Sequence, residues 1–188
     1  MATDDRIRAA WTNDAEHPAT RFAADCALQL DVCKSLLAVA DVLPGSMNTK
    51  TIDVLTKLVP STWTSHLTLQ GGAILPLITR RGGCLPDLES RLAPLARQHI
   101  EISGINDELV ECFNMVTRGE TIDSGMLGYL IRNAAERRRE HVDWEQVLLG
   151  PLLPQTLTPA ERQMFSNWTS ANPWPFEGFK PLSLPDLN

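Results

Sequence analysis

Residues 121–149 read TIDSGMLGYLIRNAAERRREHVDWEQVLL, and one set of mainly apolar residues recurs there every three or four positions. This spacing places the set along one side of an α-helix, because a helix turns once in about 3.6 residues. No run alternates with the two-residue period of a strand. The segment is therefore predicted to be a long helix with one buried face. This stripe consists of Leu127, Ile131, Ala134, Arg138, His141, Glu145 and Leu148.

Three earlier segments show the same spacing, at about 20–43, 47–80 and 86–117. Four such helices joined by short breaks predict an all-α protein that folds as an antiparallel up-down four-helix bundle. The breaks fall at Leu43-Pro44-Gly45, Arg81-Gly82-Gly83, Arg118-Gly119 and Gly150-Pro151. The three stripes consist of Cys26, Leu30, Cys33, Leu37 and Ala40 in the first segment; Ile52, Leu55, Val59, Thr62, His66, Gln70, Ala73 and Leu77 in the second; and Leu88, Leu92, Leu95, His99, Ile102, Asn106, Leu109 and Phe113 in the third.

Four residues interrupt these helical patterns. Pro60 and Pro94 lie inside the second and third segments, where a proline predicts a kink or a restarted helix. Gly71 and Gly72 lie in the second segment and weaken a helix relative to alanine. A kink or bulge is therefore predicted near residues 70–72.

A short fifth helix is predicted at about 158–171, because Thr158-Pro159-Ala160-Glu161 has the residue types of a helix start. The stretch after Trp168 contains four prolines and three aromatic residues, which favour an extended strap that covers apolar surface of the bundle. The alternative is a partner-binding motif that contacts another protein or a second copy of the chain. The predicted divisions are a polar N-terminal segment at 1–19, the bundle with its short helix at 20–171, and the proline- and aromatic-rich tail at 172–188.

The composition restricts the class of protein. The 188 residues include 17 Lys and Arg against 23 Asp and Glu, a net charge of −6, which argues against a nucleic-acid partner. No apolar run approaches the roughly 20 residues that span a bilayer, and the polar start lacks the apolar core of a signal peptide. The expectation is a cytoplasmic protein without a membrane partner. Its cysteines, Cys26, Cys33, Cys84 and Cys112, are predicted to be reduced and mostly buried.

Three histidines, His66, His99 and His141, fall on the buried stripes of three different segments. A single buried histidine is usually structural and hydrogen-bonded to a neighbour. Inward side chains of different helices converge, however, and three buried polar rings need shared partners. A metal ion is one such partner for neutral imidazole. Glu145 follows His141 by four residues and Gln70 follows His66 at the same distance, so each pair lies on one helix face.

Three stretches of the sequence carry a resemblance to a known family. They are His66-Leu-Thr-Leu-Gln70-Gly-Gly-Ala-Ile-Leu-Pro76, Leu95-Ala-Arg-Gln-His99-Ile and His141-Val-Asp-Trp-Glu145-Gln-Val-Leu-Leu-Gly-Pro151. Over about residues 20–170 the chain resembles the hemerythrin-like (HHE cation-binding) domains. The resemblance implies an up-down four-helix bundle around a non-haem di-iron site. It also implies a function in binding dioxygen, or in responses to oxygen, iron or nitric oxide.

The sequence departs from the family pattern at several ligand positions. Gln70 stands where the family has a carboxylate, and a neutral amide is a poor bridge between two metal ions. The first segment contains no histidine, and Ser103 stands where some members have a further ligand. The expected cofactor is one or two iron ions, the expected partner is dioxygen or another diatomic molecule, and no catalytic residue is identified. The candidate metal ligands are His66, Gln70, His99, His141 and Glu145.

A metal-free bundle is the alternative hypothesis. The histidines would then be structural or pH-responsive, and the chain would act as a helical interaction module through its tail and surface. Arg138 lies on the same stripe as His141 and would replace a cation by pairing with Glu145 or Glu111. Cys33 is a substitute ligand in the metal-binding hypothesis, although packing is its favoured role.

Overall fold

The computed structural model describes residues 17–43, 48–81, 87–176 and 179–182. All regular secondary structure in these ranges is helical, which confirms the predicted all-α class. The described residues form five α-helices, the second of which contains a π-helical turn, and a short 3-10 helix at Gly150–Leu152. Their bounds are Pro18–Val42 for α1; Thr49–Leu69, the π-turn Gln70–Ile74 and the continuation Leu75–Arg81 for α2; Leu88–Thr117 for α3; Ser124–Leu148 for α4; and Pro159–Ala171 for α5.

Local capping explains where several helices begin. The side chains of His17, Asn48 and Asp123 each accept a hydrogen bond from a backbone N–H in the first turn of α1, α2 and α4. Thr158 and Glu161 form a reciprocal capping box at the start of α5. These starts lie within a few residues of the limits expected from the sequence, because caps are local signals.

The four long helices surround a common core. Helix α1 packs against α4 and α2, and α3 packs against α2 and α4. In three of these contacts residue numbers rise along one helix and fall along the other, so the paired helices run in opposite directions. The residue pairs are Asp25–His66 and Gln29–Thr62 between α1 and α2, Cys33–Ala135 and Ala40–Arg132 between α1 and α4, and Trp63–Ser103 and His66–His99 between α2 and α3.

The core consists of two apolar clusters with polar side chains between them. One cluster fills the end of the bundle that contains Leu55 and Leu127, and the other fills the end that contains Phe22 and Ile74. We refer to the buried polar residues between the clusters as the polar layer. Buried polar groups need partners inside the protein, so this layer determines where a site can form. Its members are Asp25, Gln29, Thr62, His66, Gln70, Asn106, Arg138, His141 and Glu145.

The buried face of α1 differs from the predicted stripe. Leu37 is 38% exposed and Leu30 is only partly buried, whereas the other members of that stripe are buried. The helix is rotated because Asp25 and Gln29 turn toward α2 and hydrogen-bond to it. The stripes predicted for α2 and α4 do lie on buried faces. The buried series of α1 includes Asp25, Gln29, Val32, Leu36 and Val39.

The helices continue through both prolines and change geometry at the glycines. Helix α2 contains Pro60 and α3 contains Pro94 without interruption, so neither proline restarts a helix. At Gln70–Ile74 the backbone widens into one π-helical turn, which confirms the irregularity predicted near residues 70–72. The turn leaves both Gln70 and Leu77 on the buried side of the bundle.

Helix α5 lies against the π-turn of α2. Phe165 and Trp168 pack into the apolar cluster at that end of the bundle, and Glu161 forms an ion pair with Arg81 at the end of α2. Gly72 lies directly beneath Trp168, since a β-carbon at this position would lie 2.5 Å from the indole Nε1. The missing side chain at Gly72 is what allows α5 to approach α2 so closely.

The described parts of the C-terminal tail contact α1. The Arg21 guanidinium lies 4.2 Å from the centre of the Trp174 ring and donates to the Asn172 carbonyl. The backbone N–H of Leu182 donates to the Ser35 hydroxyl, and the Leu182 side chain packs against an apolar cluster. These contacts hold the described tail residues on the bundle, while the division at 1–19, 20–171 and 172–188 stays a prediction.

The cysteines in the described ranges are free thiols. Cys26 and Cys33 are buried as predicted, and Cys112 is partly buried. Cys84 lies outside the described residues. Burial raises the pKa of Cys26 and of Cys33, so both thiols stay protonated near neutral pH. No helix among the described residues is both long enough and apolar enough to cross a membrane.

Gly71→Ala and Gly72→Ala are predicted to change stability in opposite directions. An added β-carbon at Gly71 meets no atom within 4 Å, so alanine there should raise the free energy of unfolding by about 0.5–1 kcal/mol. Alanine at Gly72 would displace Trp168 and should lower it by about 1–3 kcal/mol. Urea denaturation of both variants measures the two changes. Equal effects would contradict the close contact between α5 and α2.

Candidate metal centre

Four side chains of the polar layer converge on one position between three helices. One ligand atom of each side chain, an imidazole nitrogen or a carboxylate oxygen, lies within 4.8 Å of the others. Three of the residues are fully buried, whereas 18% of the His99 side chain is exposed. The group can hold a metal ion, and His99 is the member that solvent reaches. The residues are His66 of α2, His99 of α3, and His141 and Glu145 of α4.

The distances between the ligand atoms suit one four-coordinate ion. His141 Nε2 lies 3.2 Å from Nε2 of His66 and 3.1 Å from Nε2 of His99. Glu145 Oε1 lies 2.8 Å from His141 Nε2, and 3.3 Å and 3.7 Å from Nε2 of His66 and His99. Ligand bonds of about 2.0–2.1 Å in a tetrahedral site place neighbouring ligand atoms about 3.3 Å apart. These five distances lie on both sides of this value, and all four ligand atoms lie within 4.8 Å of one another, so small movements of the side chains would let the residues hold a single ion.

The Glu145 carboxylate accepts no well-directed hydrogen bond in the described structure, although Nε2 of His66 and of His141 lie within 3.3 Å of its Oε1. The side chain is fully buried, yet neither oxygen accepts a hydrogen bond. The close approach of Oε1 to His141 Nε2 therefore lacks hydrogen-bond geometry. A buried carboxylate needs positive charge beside it, which either protonated His66 or a cation bound among the imidazoles would supply.

Two of the three imidazoles are oriented through their other ring nitrogen. His66 Nδ1 donates to Oδ2 of Asp25 over 2.6 Å, and Asp25 is fully buried on α1. His141 Nδ1 donates to Oε1 of Gln98 over 3.0 Å. Both hydrogen bonds leave Nε2 directed at the shared position, as do the carboxylates and amides that hydrogen-bond to the other ring nitrogen of metal-binding histidines. Asp25 therefore connects α1 to a site whose four ligand atoms come from the other long helices.

Trp63 contacts all three imidazoles. Its ring stacks on His66 at a centroid distance of 4.8 Å and lies edge-on to His99 and His141, at 5.7 and 5.4 Å. The indole N–H donates to the Ser103 hydroxyl. One hydrogen-bonded aromatic ring therefore restricts the rotation of three imidazoles and excludes water from one side of the site.

The charges of the site shift the pKa values of its members. Burial alone would lower the pKa of His66, but the carboxylates of Glu145 and Asp25 raise it to about 10. Burial alone would raise the pKa of Glu145, but the charge on His66 holds it well below its usual range. Burial lowers the pKa of His141. Without a metal ion His66 is therefore the cationic imidazole, and an ion bound at its Nε2 would replace that proton.

The other two candidate ligands have different surroundings. Gln70 is buried at the start of the π-turn, one helical turn beyond His66, and neither atom of its amide has a hydrogen-bond partner among the described residues. Its role as a ligand stays a prediction. Cys33 belongs to an apolar cluster and donates to the Ala135 carbonyl, and burial raises the pKa of its thiol to about 11. Cys33 is not among the side chains that converge on the shared position, so its contacts in the described structure are those of packing.

Arg138 also lies in the polar layer, but it does not form the ion pairs that its position in the sequence suggested. Glu145 faces the histidines, and Glu111 pairs with Arg118 near the surface. The guanidinium of Arg138 turns instead toward α2, where it donates to a carbonyl and a hydroxyl. The pairing with Glu145 or Glu111 is therefore not formed.

Sequence reasoning missed Asp25, Trp63 and Gln98, which orient the imidazoles of the site. Asp25 and Gln29 belong to a set of α1 residues that recurs alternately every four and three positions and is otherwise mainly apolar. Two polar residues in such a set could have indicated from the sequence that they face the site. Trp63 precedes His66 by three residues, a spacing that places both on one helix face. Nothing in the sequence indicated that Gln98 contacts a histidine on another helix, because the spacing of residues within one helix does not predict contacts between helices.

Comparisons with known proteins add no relative. No protein-family model matches the chain, and no curated protein or solved structure matches it. The class of protein therefore follows from the fold and the site alone. The chain is an all-helical protein with a buried group of side chains that can hold a metal ion.

Asp25→Asn is predicted to weaken metal binding about 10–100-fold, because it removes the charge that orients and polarises His66. Asp31→Asn is the matched control, since Asp31 is on the same helix but pairs with Lys34 outside the polar layer. Titration with Zn²⁺ against a chelating dye measures both affinities. Equal affinities for the wild type and the Asp25→Asn protein would exclude an orienting role for Asp25.

Proposed function

We propose that this chain is a hemerythrin-like, antiparallel up-down four-helix bundle that holds one non-haem metal ion, with iron as the metal. The proposal rests on one observation, the convergence of three imidazole nitrogens and the Glu145 carboxylate on a single buried position. The opposite directions of the paired helices support the topology. The metal ligand set is supported by the lack of a well-directed hydrogen bond to Glu145 among the described residues and by the hydrogen bond from His66 to Asp25.

A single ion is proposed because the ligand atoms form one compact set. Within the described part of the chain, no second group of three or more His, Cys, Asp and Glu side chains is close enough to hold an ion. Glu145 is the only carboxylate of the set, and the neutral amide of Gln70 adds no charge to hold another ion. Asp25 is engaged by His66 and Gln29 and lies behind the imidazole of His66.

Iron is proposed as the metal on the resemblance to hemerythrin-like domains. Imidazole and carboxylate ligands suit several first-row metals, including zinc. An iron ion at this position would enable the protein to bind or sense dioxygen, nitric oxide or a similar diatomic molecule, or to handle iron. The partial exposure of His99 gives small ligands a side from which to approach. No enzymatic reaction is proposed.

A metal-free interaction module is the second candidate, and the charges of the polar layer favour it. Protonated His66 lies between the carboxylates of Asp25 and Glu145, and Arg138 is buried in the same layer. These two positive and two negative charges balance without an ion. The histidines would then be structural, and the surface or tail would bind a protein partner or a second copy.

Metal analysis separates the two candidates when it is combined with the visible absorption spectrum. The protein is purified without a chelator and without an immobilised-metal column. About one ion per chain supports the proposed site, and about two would require ligands beyond the four residues. No ion, even after anaerobic reconstitution with ferrous iron, would favour the metal-free module.

His141→Ala is predicted to abolish metal binding, because His141 Nε2 lies close to each of the other three ligand atoms. His17→Ala is the control, since His17 caps α1 away from the polar layer and its loss should leave the metal content unchanged. Elemental analysis of both variants gives the result. Full metal content in the His141→Ala protein would refute the ligand set. In a metal-free module the same substitution should only lower stability, by about 1–3 kcal/mol.

A further inference from the structure

Arg138 is a buried cation without a carboxylate partner among the described residues. It is 1% exposed, and its guanidinium donates to the Val59 carbonyl over 3.1 Å and to the Thr62 hydroxyl over 3.4 Å. Burial lowers its pKa to about 10, which leaves it charged at neutral pH. A buried charge that forms no salt bridge is unfavourable for stability, so packing alone does not account for an arginine at this position.

Arg138 lies close to the candidate metal centre. It precedes His141 by three residues on α4, so the two side chains are neighbours on one helix face. Its guanidinium carbon is 5.2 Å from the centre of the Trp63 ring, which in turn stacks on His66 at 4.8 Å. The guanidinium is therefore at most about 10 Å from the His66 ring, with an indole rather than bulk water beside both groups. Water screens such a pair only weakly.

The net charge of the polar layer depends on the valence of the bound ion. A divalent ion that replaces the His66 proton would share the layer with two carboxylates and Arg138, which leaves one positive charge in excess. A trivalent ion would leave two. Without Arg138 the same layer would be neutral around a divalent ion. Excess buried charge is unfavourable, and each added charge on the ion is repelled by the guanidinium.

We propose that Arg138 makes the centre selective for a divalent ion over its trivalent form, an inference that rests on the proposed function. If the limit of about 10 Å to the His66 ring is taken as the distance to the ion, with an effective dielectric constant of about 20, the guanidinium disfavours one additional positive charge on the ion by roughly tenfold. Removal of the Arg138 charge should therefore shift the ratio of trivalent to divalent binding by about this factor. For the one-electron couple of ferric and ferrous iron, tenfold corresponds to a midpoint potential lower by about 59 mV.

The test is a spectroelectrochemical titration of the full chain loaded anaerobically with ferrous iron. Arg138→Met removes the charge and keeps an extended side chain, whereas Arg138→Lys keeps the charge. Arg139→Met is the matched control, because it removes the same charge at the next residue, where Arg139 is exposed and pairs with Glu136. The expected midpoint is about 59 mV lower in Arg138→Met, with little change in the two controls because water screens the Arg139 charge.

A second variant separates charge from packing. Arg138→Gln keeps a hydrogen-bond donor toward Val59 and Thr62 and should show the same shift as Arg138→Met. Equal midpoints in the wild type and both neutral variants would overturn the role of Arg138. An equally large shift in Arg138→Lys or Arg139→Met would overturn it as well, because buried charge would not be the cause. Failure of the wild type to bind ferrous iron would overturn the proposed function, and this inference with it.

Discussion

The structure depends on how the negative charges of two carboxylates, Asp25 and Glu145, are balanced in the middle of a helical bundle, where both are buried. Buried charges are stable only beside partners, and here the partner of both is His66. The three residues come from three helices, so their contacts restrict how α1, α2 and α4 can rotate about their axes relative to one another. The apolar clusters at either end contribute the larger share of stability, but the hydrophobic effect has no direction. The polar layer supplies the directional contacts.

The requirements of the polar layer explain features that lie outside it. Helix α1 exposes part of Leu37 because the helix is rotated to bring Asp25 toward α2. Trp63 is held by Ser103 against the imidazoles, which links α3 to the same group of residues. Beyond the layer, the π-turn of α2 creates the place where Trp168 of α5 packs. A site in the centre of the bundle and the outer helix are thus connected through the backbone of α2.

Much of this arrangement could be predicted because its signals are local. The period of the apolar residues identified four long helices, and the Thr158 capping box identified the short one. The four clustered side chains were found because polar residues on an apolar stripe are rare. The buried face of α1 was mispredicted, because two overlapping sets of residues on this helix recur with the same helical spacing. Gln98 could not be found, because its partner lies on another helix and no spacing along the chain encodes that contact.

The sequence by itself determined the helical class, the helix limits and the residues His66, His99, His141 and Glu145, because periodicity and capping act within a few residues along the chain. Only the tertiary structure decided which atoms of these residues meet, that Asp25 and Trp63 orient them, and that Arg138 lies beside the site with no ion pair to a carboxylate of the described residues. Those contacts join residues that are 35 or more positions apart in several cases, such as Asp25 and His66. They form only when packing brings the helices together and excludes water from the charges between them.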